Sequence, residues 1–97
     1  MLEGVLIVED ASLKIVALGD SITYGFPYLP ELSWVRLVSD ELGIAMLNKG
    51  INGDTTWGML ERFALDVTAH QPSHVIILGG ANDAFEGIIA NEALDNI

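Results

Sequence analysis

Three short polar segments hold the side chains that could do chemistry, and each directly follows an apolar run. They are Gly19-Asp20-Ser21, Gly50-Ile51-Asn52-Gly53-Asp54-Thr55 and Gly79-Gly80-Ala81-Asn82-Asp83. The segments offer a serine hydroxyl, a glycine with a free backbone N–H and an asparagine amide. If the three apolar runs are parallel strands, a hydroxyl nucleophile faces two hydrogen-bond donors, which is most of an acyl-transfer site.

Each segment, taken alone, also has an ordinary structural explanation. Gly-Asp-Ser after a strand commonly forms a turn or a helix cap, Asn52-Gly53 suggests a hairpin turn, and Asn82 could bond its own backbone. The combination favours chemistry for two reasons. Asn52-Gly53 here joins a strand to a helix, and the Asn82 amide is a neutral donor of the kind that stabilises a tetrahedral intermediate.

The hydrophobic pattern predicts the elements that position these segments. Short β-branched runs over residues 13–18, 44–47 and 75–78 indicate buried strands. Ser33 is predicted to cap a helix that Gly43 closes. A second helix is expected to begin at Thr55 or Thr56, to carry apolar residues at helical spacing and to end at Gln71-Pro72. The members of that apolar series are Met59, Leu60, Phe63, Ala64 and Val67.

The alternation of strands and helices predicts an α/β fold with a parallel sheet and right-handed crossovers. All three polar segments then lie at the carboxyl edge of the sheet, where such folds bind ligands. At the other end of the chain, Asn91 is predicted to cap a helix that is cut short at Ile97.

Composition restricts the classes of function. The chain has 97 residues, of which 51% are hydrophobic, so it is one small domain or a piece of a larger one. Its net charge of −10 argues against nucleic acid as a partner. The chain has no cysteine, which excludes thiol catalysis and fits a reducing compartment, so we expect a cytoplasmic protein without a membrane span. No cofactor is expected.

At the level of these motifs the chain resembles the SGNH hydrolases, the GDSL esterase and lipase family. The resemblance rests on Gly19-Asp20-Ser21-Ile22-Thr23-Tyr24-Gly25, on residues 48–55 and on residues 79–83. It implies a three-layer α/β/α fold of flavodoxin type, with Ser21 as nucleophile. It also implies an oxyanion hole built from the N–H groups of Ser21 and Gly53 and the Asn82 side chain. The second motif is more similar to the bacterial lysophospholipase, thioesterase and arylesterase branch than to the polysaccharide deacetylases.

One departure from the family pattern concerns the general base. The family's Asp-x-x-His block, which supplies the catalytic histidine and its aspartate, has no counterpart here. His70 ends a helix and His74 opens the third strand at its amino end, so we expect both to be structural.

The sequence therefore predicts a leader or edge extension over residues 1–12 and the N-terminal half of a hydrolase domain over residues 13–97. The missing half, or a partner chain, would complete the domain, and a homo-oligomer is an open alternative.

The expected substrate is a small or medium acyl ester, with Asp20, Tyr24 and Trp57 as substrate-binding residues. Two other functions stay open at this point. Asp20, Asp54 and Asp83 gather at the same predicted sheet edge and could bind Mg²⁺. The chain could also be a binding or assembly piece without catalytic activity, since the base is absent.

Overall fold

The computed structural model of the protein describes residues 13–97. The predicted leader over residues 1–12, with its edge strand over residues 5–8, lies outside the described residues.

The three predicted strands are present and parallel. They are β1 (Lys14–Gly19), β2 (Ala45–Gly50) and β3 (His74–Leu78), in the spatial order β2-β1-β3. In this register Gly19 pairs with Gly50 on one side and with Leu78 on the other. The three strands therefore end at one level. β2 extends three residues beyond its predicted end because its pairing with β1 continues through Asn48 and Lys49.

Short helices connect the strands. The α-helices are α1 (Ser21–Tyr24), α2 (Trp34–Leu42), α3 (Thr56–Glu61), α4 (Phe63–Asp66), α5 (Ala81–Phe85) and α6 (Ala90–Asn96). Two 3₁₀ turns cover Pro30–Leu32 and Thr68–His70. The predicted ends of α2 are confirmed. The Ser33 hydroxyl accepts a hydrogen bond from the Val35 N–H at 3.1 Å, and Gly43 closes the helix with a φ of 65°.

The strand order determines where the helices pack. From β1 the chain moves to one neighbour and then across to the other, so right-handed crossovers put α2 and the α3–α4 pair on opposite faces of the sheet. On one face Val16 and Leu18 of β1 pack with Met59 and Val67. This is the flavodoxin strand order, and the α/β fold is confirmed. β3 has a single strand neighbour among residues 13–97, and its Ile76, Ile77 and Leu78 stay 37–42% exposed.

Two helix predictions were wrong in detail. The predicted helix through to Gln71-Pro72 is broken at Arg62, which has non-helical angles (φ −101°, ψ 6°) and separates α3 from α4. At this break the Arg62 guanidinium turns to the ends of β1 and β2, a long-range contact that helical periodicity does not encode. Asn91 does not cap α6, because the helix already begins at Ala90, after Ile89 in extended backbone.

Candidate active site

The three polar segments lie side by side at the carboxyl edge of the sheet. The first begins where β1 ends and the second where β2 ends, and the Ile51 N–H donates to the Gly19 carbonyl across 3.1 Å. The third segment joins them through the Asn82 side chain, whose Nδ2 donates to the Asp54 carbonyl at 2.9 Å. The predicted convergence of the three segments at one edge of the sheet is thus present in the fold.

Ser21 is the first residue of α1, directly after a buried aspartate. Asp20 caps this helix, with its Oδ1 accepting from the Ile22 N–H at 3.0 Å. The Asp20 residue is 2% exposed, whereas Ser21 is half-buried. A carboxylate so enclosed is suited to holding the turn at Ser21, and it has little surface left for the substrate contact that the sequence predicts.

Close packing fixes α1 against the end of β2. A Cβ atom at Gly50 would overlap the backbone nitrogen of Tyr24, so only glycine permits this approach. Asn48 adds two hydrogen bonds: its Nδ2 donates to the Thr23 carbonyl at 2.8 Å, and its Oδ1 accepts from the Gly50 N–H at 2.9 Å. The helix that carries Ser21 is therefore held by both the backbone and a side chain of β2.

Gly53 occupies the tip of the turn after β2. Its φ of 81° lies in the left-handed region, where a side chain would be strained. The turn is closed by a hydrogen bond of 3.2 Å from the Asp54 N–H to the Ile51 carbonyl. Within residues 13–97 the Gly53 N–H donates to no other group, and the residue is exposed. This N–H is thus available to a ligand.

Asn82 presents an oriented amide. The hydrogen bond to the Asp54 carbonyl requires the nitrogen of the amide to face that oxygen, which assigns the orientation of the side chain. An amide NH₂ has two hydrogens, so the second is free to donate elsewhere. The next residue, Asp83, is 1% exposed and accepts from the Thr56 N–H at 2.9 Å and the Thr56 hydroxyl at 2.5 Å. These contacts fix the Asn82 segment to the start of α3.

The three acidic side chains at this edge are each engaged in a different contact. Asp20 caps α1, Asp83 binds Thr56, and the Asp54 carboxylate accepts from the Thr55 N–H and pairs with Arg62. In the part of the chain that the structure describes, no group of three His, Cys, Asp or Glu residues could hold a metal ion. The contacts of the carboxylates thus favour a structural role over the magnesium site left open above.

The two histidines lie toward the other end of the sheet. His74 pairs with Ile15, four residues before Gly19, and a strand rise of about 3.3 Å per residue puts it about 13 Å from the carboxyl edge. His70 ends the 3₁₀ turn that leads into β3. A general base needs to be about 3 Å from the nucleophile, directly or through one water. Neither histidine fits that role.

The remaining predicted site residues flank the three segments. Tyr24 ends α1 and is half-buried, and Trp57 lies in the first turn of α3 with 55% of its surface exposed. Their contact with substrate stays a prediction.

Sequence reasoning missed Asn48 and Arg62, both of which hold the segments together. The available signal was that Arg62, one of only four basic residues in the chain, follows Asp54 by eight positions and lies between the apolar residues Leu60 and Phe63.

The helices of residues 13–97 are all too short, or too polar, to cross a bilayer.

Comparison with known proteins agrees with this geometry. The sequence model of the GDSL-like lipase/acylhydrolase family matches residues 17–97. An arylesterase from Vibrio mimicus is 38% identical over 84 residues, which cover 81% of this chain and 42% of that protein. The thioesterase 1/protease 1/lysophospholipase L1 of Escherichia coli K12 is 31% identical over 79 residues, covering 79% of this chain and 38% of that protein.

Solved structures lead to the same family. A G-D-S-L family protein from Desulfitobacterium hafniense superposes with a TM-score of 0.83 at 35% identity, over 86% of this chain and 47% of that one. The chain spans about two fifths of the length of the curated relatives just described. The family match covers all three polar segments. The chain belongs to the GDSL-like lipase/acylhydrolase family.

Proposed function

We propose that this chain carries the nucleophile and the oxyanion donors of a serine esterase that hydrolyses small or medium acyl esters. Ser21 is the nucleophile, and the N–H groups of Ser21 and Gly53 with the Asn82 amide are the donors. The observation that carries the proposal is the common level at which the strands end, with Gly19 in register with Gly50 and Leu78. That register brings the three segments to one edge of the sheet.

The proposed reaction follows from the chemistry of these groups. The Ser21 Oγ attacks the ester carbonyl and its proton passes to a general base, leaving a tetrahedral intermediate with a negative oxygen. The three donors stabilise this oxygen. The base then gives its proton to the leaving oxygen, and collapse of the intermediate expels the alcohol and leaves an acyl-serine. Water, activated by the same base, then releases the acid and restores the serine hydroxyl.

The general base of this mechanism comes from outside residues 13–97. His74 is about 13 Å from the carboxyl edge by its register, far beyond hydrogen-bond reach. A histidine and an orienting aspartate in an Asp-x-x-His segment would meet the requirement, and the chain spans only part of its relatives' length. We use "complete domain" for a protein that joins this chain to such a segment.

Three observations support an ester substrate over other roles. The Gly53 N–H and the second Asn82 hydrogen have no partner among residues 13–97, which suits donors awaiting a developing oxyanion. Similar proteins carry the names arylesterase and thioesterase, which describe acyl transfer to water. The exposed Trp57 is available to contact the acyl or alcohol part of an ester.

The test compares two serine variants of the complete domain. Ser21→Ala is expected to lower kcat for p-nitrophenyl acetate by at least about 10⁴-fold. Ser73→Ala is the matched control, because Ser73 precedes β3 at the opposite end of the sheet, where its hydroxyl donates to the backbone carbonyl of Lys14. It should retain wild-type turnover. Equal turnover by the Ser21→Ala variant and the wild type would contradict Ser21 as nucleophile, and no turnover by either protein would favour a binding or assembly role.

A further inference from the structure

A partly buried arginine contacts the ends of two strands and the second polar segment. The Arg62 side chain is 15% exposed and lies at the break between α3 and α4. Its Nη2 donates to the Gly19 carbonyl at 3.0 Å, and its Nη1 donates to the Lys49 carbonyl at 2.9 Å. The Gly19 carbonyl belongs to the first polar segment, and the Lys49 carbonyl directly precedes the second.

The same guanidinium also forms two ion pairs. Its Nε donates to Asp54 Oδ2 at 2.7 Å, and its Nη1 donates to Asp66 Oδ2 at 2.8 Å. Both partners are shielded, with 13% and 27% of their side chains exposed. The two carboxylates compensate the positive charge of the Arg62 guanidinium. Its planar set of N–H groups donates hydrogen bonds to acceptors on four different residues.

The contacts continue from Arg62 to the third segment. Asp54, whose carboxylate Arg62 binds, follows Gly53 directly, and its backbone carbonyl accepts from the Asn82 amide at 2.9 Å. Arg62 is therefore bonded to the peptide before Asp20, to the residue after Gly53, and through Asp54 to Asn82. Arg62 thus contacts the first two segments directly and the third only through Asp54.

We propose that Arg62 is a positioning residue that sets the spacing between the Ser21 hydroxyl and the two oxyanion donors. This inference rests on the proposed esterase function. Buried ion pairs are weak evidence for stability, since desolvation offsets the attraction between the charges. A fork that joins the first two segments, and through Asp54 the third, is better suited to fixing their geometry. Misplacing catalytic groups by about 1 Å can cost about 10²-fold in rate.

The test uses Arg62→Lys in the complete domain. Lysine keeps the charge but has a single ammonium that cannot span the four acceptors. We expect kcat for p-nitrophenyl acetate to fall about 10²-fold with KM within about twofold, because the defect is in the alignment of the transition state. The matched control is Arg36→Lys, since Arg36 also pairs with an aspartate four residues later but is 54% exposed and lies on α2. It should leave both constants unchanged.

A second readout separates positioning from a structural role. A boronic acid that forms a tetrahedral adduct with the nucleophilic serine mimics the transition state, so its affinity should fall in proportion to kcat in Arg62→Lys. A merely structural arginine would lower the melting temperature and leave kcat and boronate affinity of the folded enzyme unchanged. That result would overturn the proposal. Asp54→Asn, which weakens the loop contact and retains Arg62, is expected to show the same kcat loss in milder form.

The outcomes remain distinguishable from failure of the esterase proposal itself. If Ser21→Ala abolishes turnover while folded Arg62→Lys and Asp54→Asn keep wild-type kcat, the esterase stands and the positioning role is refuted. If Ser21→Ala retains turnover, the esterase proposal fails and the positioning role fails with it. Should both Arg62→Lys and Asp54→Asn fail to fold, Arg62 would be assigned to stability, which also overturns the inference.

Discussion

Replacement of Asn82 by alanine separates a functional amide from an ordinary loop residue. In the ground state the side chain donates one hydrogen bond, 2.9 Å long, to the Asp54 carbonyl. Losing such a bond costs about 0.5–1.5 kcal/mol of stability. For a domain of about 150–250 residues this lowers the melting temperature by no more than about 6 °C. The complete domain should therefore remain folded.

The same substitution is expected to have a larger effect on the reaction. Removing one oxyanion donor costs about 2.7–4 kcal/mol in the transition state, which lowers kcat by about 10² to 10³. KM should change little, because the amide binds the developing oxyanion more strongly than the ground-state carbonyl. A catalytic donor is indicated when the loss of transition-state stabilisation exceeds the loss in the free energy of unfolding.

The assay combines steady-state kinetics on p-nitrophenyl acetate with thermal unfolding of the same preparations. Asn91→Ala serves as control, because Asn91 is an exposed residue in the first turn of α6. It should match the wild type in both measurements. The reasoning would be refuted if Asn82→Ala were fully active while cooperatively folded, or inactive only because it had unfolded.

Three further outcomes are expected. Asp83→Ala leaves the buried N–H and hydroxyl of Thr56 without their acceptor. We expect this variant to lower the free energy of unfolding of the complete domain by roughly 2–4 kcal/mol, as measured by urea titration. A loss below about 0.5 kcal/mol would contradict the role given to these bonds. Millimolar Mg²⁺ should leave the melting temperature unchanged, since the acidic side chains are already engaged, and a concentration-dependent rise that Asp20→Asn removes would favour the metal alternative. The 97-residue chain alone should hydrolyse p-nitrophenyl acetate no faster than its Ser21→Ala variant, and robust turnover lost in His74→Ala would show that a histidine of this chain acts as base.

Local sequence patterns were sufficient to predict the elements that carry the site. Short β-branched runs predicted the three strands, and Ser33 and Gly43 marked the ends of α2, because caps and burial depend on nearby residues. The parallel topology then followed from the alternation of strands and helices. These inferences need no knowledge of distant contacts, which explains why they agree with the structure.

The contacts that join the segments could not be predicted in the same way. The break at Arg62 interrupts a regular apolar series, and at this break the guanidinium donates to carbonyls on β1 and β2 that are 43 and 13 positions away in the chain. Asn48 likewise bonds to Thr23, 25 positions earlier. Periodicity describes which side of an element is apolar, and it contains no information on which buried polar groups pair across loops.

The orientation of the oxyanion donors toward the nucleophile is the central claim, and a crystal structure of the complete domain with a covalently bound phosphonate tests it most directly. The account predicts phosphorus bonded to the Ser21 Oγ. It also predicts one phosphonate oxygen about 2.7–3.1 Å from each of the backbone nitrogens of Ser21 and Gly53 and the Nδ2 atom of Asn82. An adduct on another residue, or a phosphonate oxygen turned away from Gly53 and Asn82, would contradict it.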